Sequence, residues 1–96
     1  MLFHVSMTVR IPHDAEPGEI ANLNAAEHER AKELQLQRKW IHLWRVAGKH
    51  ANISVFEVES PDELHEILSS LPLYPFMEIE VNALSQHPGS LERISE

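Results

Sequence analysis

Residues 40–58, WIHLWRVAGKHANISVFEV, form two runs rich in β-branched and aromatic residues that meet at Gly48-Lys49. Gly first in a two-residue loop suits a type II′ turn, so the spacing predicts two antiparallel strands, Trp40 to Ala47 and His50 to Val58. In that register Ala47 lies opposite His50 and Arg45 opposite Asn52. One face carries Ile41, Leu43, Arg45, Ala47, His50, Asn52, Ser54 and Phe56; the other carries Trp40, His42, Trp44, Val46, Ala51, Ile53 and Val55. The first face grades from apolar to polar toward the loop, as a site with convergent polar groups in an apolar wall would. It is therefore placed under the helices, while the second suits a sheet-to-sheet contact. A slip of one residue would exchange the two faces.

Each side of the hairpin is flanked by a helix and then a strand. Upstream, Leu2 to Ile11 alternates apolar Phe3, Val5, Met7, Val9 and Ile11 with His4, Ser6, Thr8 and Arg10, the pattern of a strand with one buried face. Pro12 ends it, and Asp14 is the expected N-cap of a long amphipathic helix reaching about Arg38. Downstream, Ser60-Pro61-Asp62-Glu63 combines an N-cap Ser, a Pro at the first helical position and a Glu three residues after the cap. The short helix behind it gathers Leu64, Ile67, Leu68 and Leu71, and Pro72 and Pro75 break the chain. Phe76 to Leu84 alternates again as the last strand. The order βαββαβ is the α+β, split-βαβ ferredoxin-like arrangement, a single domain over residues 1–96. Two helices cover one face of a four-stranded antiparallel sheet. A second copy is expected on the other face, with Trp40 and Trp44 as contact candidates, giving a dimer or a multiple of one. The polar tail from Ser85 onward is either disordered or held by a neighbouring subunit.

With 96 residues the chain is long enough for one modest core. Lys+Arg 8 against Asp+Glu 15 gives a net charge of −7, which argues against nucleic acid but leaves room for a small anion beside one well-placed base. The sequence has no cysteine, so no disulfide and no thiolate nucleophile. No apolar run approaches a membrane span and the first residues are not a signal peptide, so the expected location is the cytoplasm.

Within the first helix, at roughly 100° per residue, Ile20, Leu23, Glu27, Ala31 and Leu34 fall on one stripe. Glu27 puts a carboxylate where the helix should face the core. Desolvation there disfavours the charged form and raises the pKa, the tuning a general base needs. Otherwise Glu27 pairs with a core-facing Arg or bends to solvent. Arg45, His50 and Asn52 could converge on it from the hairpin. Each has a plainer role open to it: Arg45 as Glu27's salt-bridge partner, Asn52 as a loop cap, His50 as a solvated turn residue.

Seven histidines invite a metal, but there is no His-x-His, no His-Glu-x-x-His and no pair four apart on a helix. His28 and His65 fall on helix shoulders and read as surface residues. Three glycines cannot build a phosphate loop, and no Ser occupies a nucleophile elbow. The remaining inventory suits cofactor-free proton abstraction next to a carbonyl, by a carboxylate aided by hydrogen-bond donors.

The segments MLFHVSMTVRIPHD (1–14), KWIHLWRVAGKHANISVFEVES (39–60) and DELHEILSSLPLYPFMEIEV (62–81) resemble muconolactone Δ-isomerases, to about His87-Pro88. The resemblance implies a ferredoxin-like dimeric α+β barrel assembled into decamers, with the C-terminal tail in subunit contacts. It also implies the substrate: muconolactone, an unsaturated five-membered lactone with a carboxymethyl arm. A 1,3-proton shift converts it to the enol-lactone of 3-oxoadipate in aromatic catabolism, without cofactor or metal. By that resemblance Glu27 is the base and Asn52 donates to the dienolate oxygen. Relatives often carry Tyr where this chain has His50. Arg45 suits the substrate's free carboxylate. The alternatives are a 5-chloromuconolactone dehalogenase on the same scaffold, a cofactor-free monooxygenase, and a non-catalytic ferredoxin-like dimer that binds a small ligand.

Overall fold

In a computed structural model describing residues 1–91, the elements run β1 (Leu2–Val9), α1 (Pro17–Leu36), β2 (Trp40–Arg45), β3 (Ala51–Glu57), α2 (Pro61–Ser69), a 3₁₀ turn (Tyr74–Phe76) and β4 (Met77–Leu84). The four antiparallel strands lie in the order β2-β3-β1-β4. This is the ferredoxin-like βαββαβ arrangement that the hydrophobic periodicity predicts. Phe3, Val5 and Met7 of β1 point to the same side as Phe56 and Ser54 of β3. Against that side pack Ala31 and Leu34 of α1 and Leu64, Ile67 and Leu68 of α2, closing one core with Trp40, Val58 and Leu71. Each Val, Leu, Ile, Phe or Met side chain among them, taken fully out of water, contributes about 1.5–3 kcal/mol before chain entropy is charged against it.

Element boundaries differ from expectation for local reasons. α1 is capped by Glu16, whose carboxylate accepts from the Gly18 and Glu19 N–H groups at 3.1 and 2.8 Å, and not by Asp14. Pro17 explains the shift, because its fixed φ suits the first helical position and puts the cap immediately before it. α1 stops at Leu36 because Arg38 turns left-handed, with φ of 60°. The Arg38 and Lys39 N–H groups then close onto the carbonyls of Gln35 and Leu34, a Schellman ending formed without glycine. At α2, Ser60 Oγ accepts from the Glu63 N–H at 3.1 Å as expected. The Glu63 carboxylate reaches back one residue further than a capping box requires, to the Glu59 N–H at 2.8 Å, and its other oxygen meets Lys39 Nζ at 2.9 Å.

The hairpin keeps the expected register but not the expected loop. Arg45 pairs with Asn52 and Leu43 with Ser54. The connection, however, spans residues 47–50, between strand ends held by the Val46 N–H on the Ala51 carbonyl at 2.9 Å. Its turn runs from Val46 to Lys49, closed at 3.1 Å, with Gly48 third and at φ of +81°. That is the place where a positive φ calls for glycine. At the other end an irregularity around Ile41 moves Trp40 opposite Phe56. Trp40 therefore leaves the face assigned to it for a sheet-to-sheet contact. It is buried, and its ring stacks on Phe56 with centroids 4.8 Å apart. A β-bulge adds one residue and so flips the side-chain alternation beyond it, which a strict period of two does not anticipate. Trp44 stays on the open face, 68% exposed.

The last strand begins at Met77, one residue later than expected, because Phe76 completes the 3₁₀ turn. Of the polar tail, residues 85–91 carry no strand or helix, and residues 92–96 lie outside the described part.

Candidate active site

A cleft of about 350 Å³ opens between the middle of α1 and the helix-facing side of the β2–β3 hairpin. Glu27, Arg45, His50 and Asn52, the residues singled out in the sequence, all line it. α1 supplies Glu27 one turn before the buried Ala31, so the helix sinks toward the core just beyond the carboxylate. β2 and β3 supply Arg45 and Asn52 as a cross-strand pair, whose side chains share the helix-facing side. His50 closes the mouth from the loop, and its carbonyl accepts from the Val9 N–H at 2.9 Å, which fixes the loop to β1.

Glu27 is half-buried, and one of its oxygens accepts from the Leu73 backbone N–H at 3.0 Å. Burial raises its pKa above the ordinary carboxyl value; the Leu73 hydrogen bond and the nearby His28 charge pull the other way and only partly offset it. The two open alternatives for this residue are resolved. Glu27 does not bend out to solvent, and among the described residues it forms no ion pair with Arg45. One Arg45 nitrogen instead donates to the Lys49 carbonyl at 3.2 Å, and its remaining N–H groups are available to the cleft.

Asn52 is aimed by a neighbour. The buried Ser54 hydroxyl donates to Asn52 Oδ1 at 2.8 Å, so the oxygen of that amide is occupied and its NH₂ is the end left to donate. Among the described residues that NH₂ meets no partner. The arrangement is a partly desolvated carboxylate, an oriented amide donor, the Arg45 guanidinium and two imidazoles around an apolar floor of Trp40, Leu43 and Met77. It can move a proton at carbon and stabilise the negative charge left behind. Among the described residues no group of three His, Asp or Glu is placed to hold a metal ion.

Four contributors escaped the sequence reading. Asn24 lies one turn before Glu27 and reaches the same cleft. His28, read as a surface residue, lines its mouth. The Leu73 N–H and the Ser54 hydroxyl act through partners distant in sequence or on the neighbouring pleat, and no periodicity marks them. For Ser54 alone a signal existed: a Ser on the core face, two residues from Asn52, where an apolar residue is the rule.

The muconolactone delta-isomerase family model matches residues 1–90 of the chain. The chain belongs to that family. A muconolactone delta-isomerase 2 of Acinetobacter lwoffii is 52% identical over 91 residues, covering 95% of each protein. The muconolactone delta-isomerase of Pseudomonas aeruginosa is 48% identical over the same length and coverage. That of Rhodococcus opacus is 50% identical, over 95% of this chain and 98% of its own. The crystal structure of a muconolactone isomerase superimposes over the whole of both chains, with a TM-score of 0.93 and 49% identity. Membership of the muconolactone delta-isomerase family thus extends through both strands of the hairpin, α1 and the Leu73 segment, the elements that build the cleft.

Proposed function

We propose that this protein is a muconolactone Δ-isomerase in which Glu27 is the single base of a cofactor-free 1,3-proton shift. The observation that carries the reading is Glu27 itself: a half-buried carboxylate with a raised pKa, tethered to Leu73 in a cleft shared with an oriented amide. Glu27 takes the proton from the ring carbon that bears the carboxymethyl arm. The electron pair delocalises through the double bond onto the lactone carbonyl oxygen, giving a dienolate. The Asn52 NH₂ donates to that oxygen, and a donor fixed in advance in a water-poor site is worth far more than one in water. Glu27 then returns the proton two carbons away, on the same face, to give the enol-lactone. Arg45 and His50 bind substrate, with Arg45 suited to the free carboxylate.

The reading extends to assembly and location. The open sheet face carries Trp44 with Ile53 and Val55 beside polar His4, Ser6 and Glu80. Covering its apolar half with a second copy gives a dimer unit of a homo-oligomer, with residues 85–91 in subunit contacts; a cytoplasmic location belongs to the same reading. Trp44→Glu is expected to shift sedimentation toward monomer while the far-UV spectrum is kept. An unchanged oligomer would remove Trp44 from the interface.

The deciding experiment is proton NMR of the protein with (S)-muconolactone in D₂O. Enol-lactone that retains part of the transferred hydrogen is the expected result, because one base carries the proton on one face. Folded protein giving no enol-lactone would end the isomerase reading. Asn52→Ala is expected to lower turnover by about 10²-fold or more, with a smaller rise in the Michaelis constant, as for a contact that strengthens in the transition state. An effect on the Michaelis constant alone would make Asn52 a binding residue only.

A further inference from the structure

Although the chain carries a net charge of −7, its cleft does not share that acidic excess. Of the charged or titratable side chains lining it, one is an acid, Glu27, and three are bases, His28, Arg45 and His50. They stand on facing walls: Glu27 and His28 on α1, Arg45 on β2 and His50 on the loop after it. The other lining positions, on β1, β3, β4 and the segment after α2, contribute only uncharged Val9, Ala51, Asn52, Met77 and Leu73. His28 directly follows the proposed base, is exposed, and among the described residues makes no hydrogen bond or ion pair. Its side chain lines the same cleft as Glu27, on the next residue of α1.

We propose that His28 is a substrate-binding residue that donates a hydrogen bond to the carboxylate of a small lactone acid, gripping it from the helix side while Arg45 holds it from the hairpin side. The inference rests on the isomerase reading and deepens it by assigning what distinguishes a lactone acid from a plain lactone. Held between the two walls, the carboxylate fixes the ring with its reacting carbon toward Glu27. An imidazole supplies a directional N–H donor, and Arg45, with one nitrogen already committed to Lys49, supplies the rest of the fork.

The test separates carboxylate recognition from any influence of His28 on the base. His28→Gln and His28→Lys are compared with wild type on two substrates: muconolactone, and 5-methyl-2(5H)-furanone, the same ring without the carboxylate. Affinity for a saturated lactone acid that cannot isomerise is measured alongside by calorimetry. His28→Gln is expected to raise the Michaelis constant for muconolactone roughly tenfold, the usual scale for a charge-assisted hydrogen bond. Turnover at saturation and all constants for the furanone stay within about twofold, the saturated acid binds about tenfold more weakly, and His28→Lys restores most of both losses. Equal losses on both lactones would show that His28 acts through Glu27 and would overturn the proposal. So would unchanged constants for muconolactone, or wild type binding the saturated acid no better than the furanone. Wild type that binds the acid tightly yet converts neither lactone would refute the isomerase reading while the His28 comparison still stands on binding.

Discussion

Glu27→Gln is expected to lower turnover of muconolactone by about 10²–10⁴-fold with fold and assembly intact, the usual cost of removing a positioned base. The amide keeps the shape and can still accept the Leu73 N–H, so the comparison isolates proton transfer. Activity within a few-fold of wild type would remove Glu27 from the reaction. The same variant has a thermodynamic signature of the opposite sign. Because burial raises the Glu27 pKa, between the ordinary carboxyl value and the raised one the folded state holds a proton that the unfolded chain has released. Stability therefore falls as pH rises through that window and stays reduced above it. Glu27→Gln should abolish this fall and be the more stable protein at neutral pH, measured by urea titration across the window. For wild-type turnover, the acid limb should lie above that of an ordinary carboxylate. A protein that loses activity while gaining stability is hard to explain unless the replaced group was kept for chemistry.

The largest stability effect is expected at Phe56. It is fully buried, pairs across the sheet with Phe3 on one side and Trp40 on the other, and stacks on the Trp40 ring. Phe56→Ala is expected to destabilise by about 3–5 kcal/mol, the transfer loss plus a cavity that a two-sided strand cannot close by collapsing. That is a large share of the roughly 5–15 kcal/mol typical of a whole domain. The midpoint of urea unfolding should fall with little change in slope. A loss under about 1 kcal/mol would mean that the surrounding side chains refill the site. Because Trp40 forms part of the cleft floor, the variant should also bind the lactone acid less tightly at temperatures where it remains folded.

Those two residues mark how far the sequence could be read. Element order followed from periodicity, because β1 and α2 each bury one clean face and β4 alternates in the same way, half-burying Met77 and Ile79. Glu27 was visible because it interrupts a stripe that runs from Ile20 to Leu34. The Arg45–Asn52 pairing was visible because strand alternation holds from the loop to His42. Trp40 was not, since one extra residue near Ile41 reverses the alternation without any mark in composition. Nor was the role of Leu73: its contribution is a backbone N–H, which every residue except proline possesses, and only the tertiary path after α2 aims it at a carboxylate. His28 is exposed, as its helix shoulder predicts, but its place beside the cleft was hidden for a related reason. A helix shoulder faces solvent in isolation and becomes the rim of a cleft only when a hairpin stands opposite.

The 3.0 Å hydrogen bond from Leu73 to Glu27 also gives the protein an internal indicator. An amide proton donated to a carboxylate is strongly deshielded, and that deshielding falls when the acceptor takes up a proton. The Leu73 resonance in a nitrogen–proton correlation spectrum should therefore move upfield as Glu27 is protonated, tracing its titration without a probe, a substrate or a substitution. Ligands could be sorted by the same peak: those that leave the carboxylate ionised would hold it downfield, and those that pass it a proton would not.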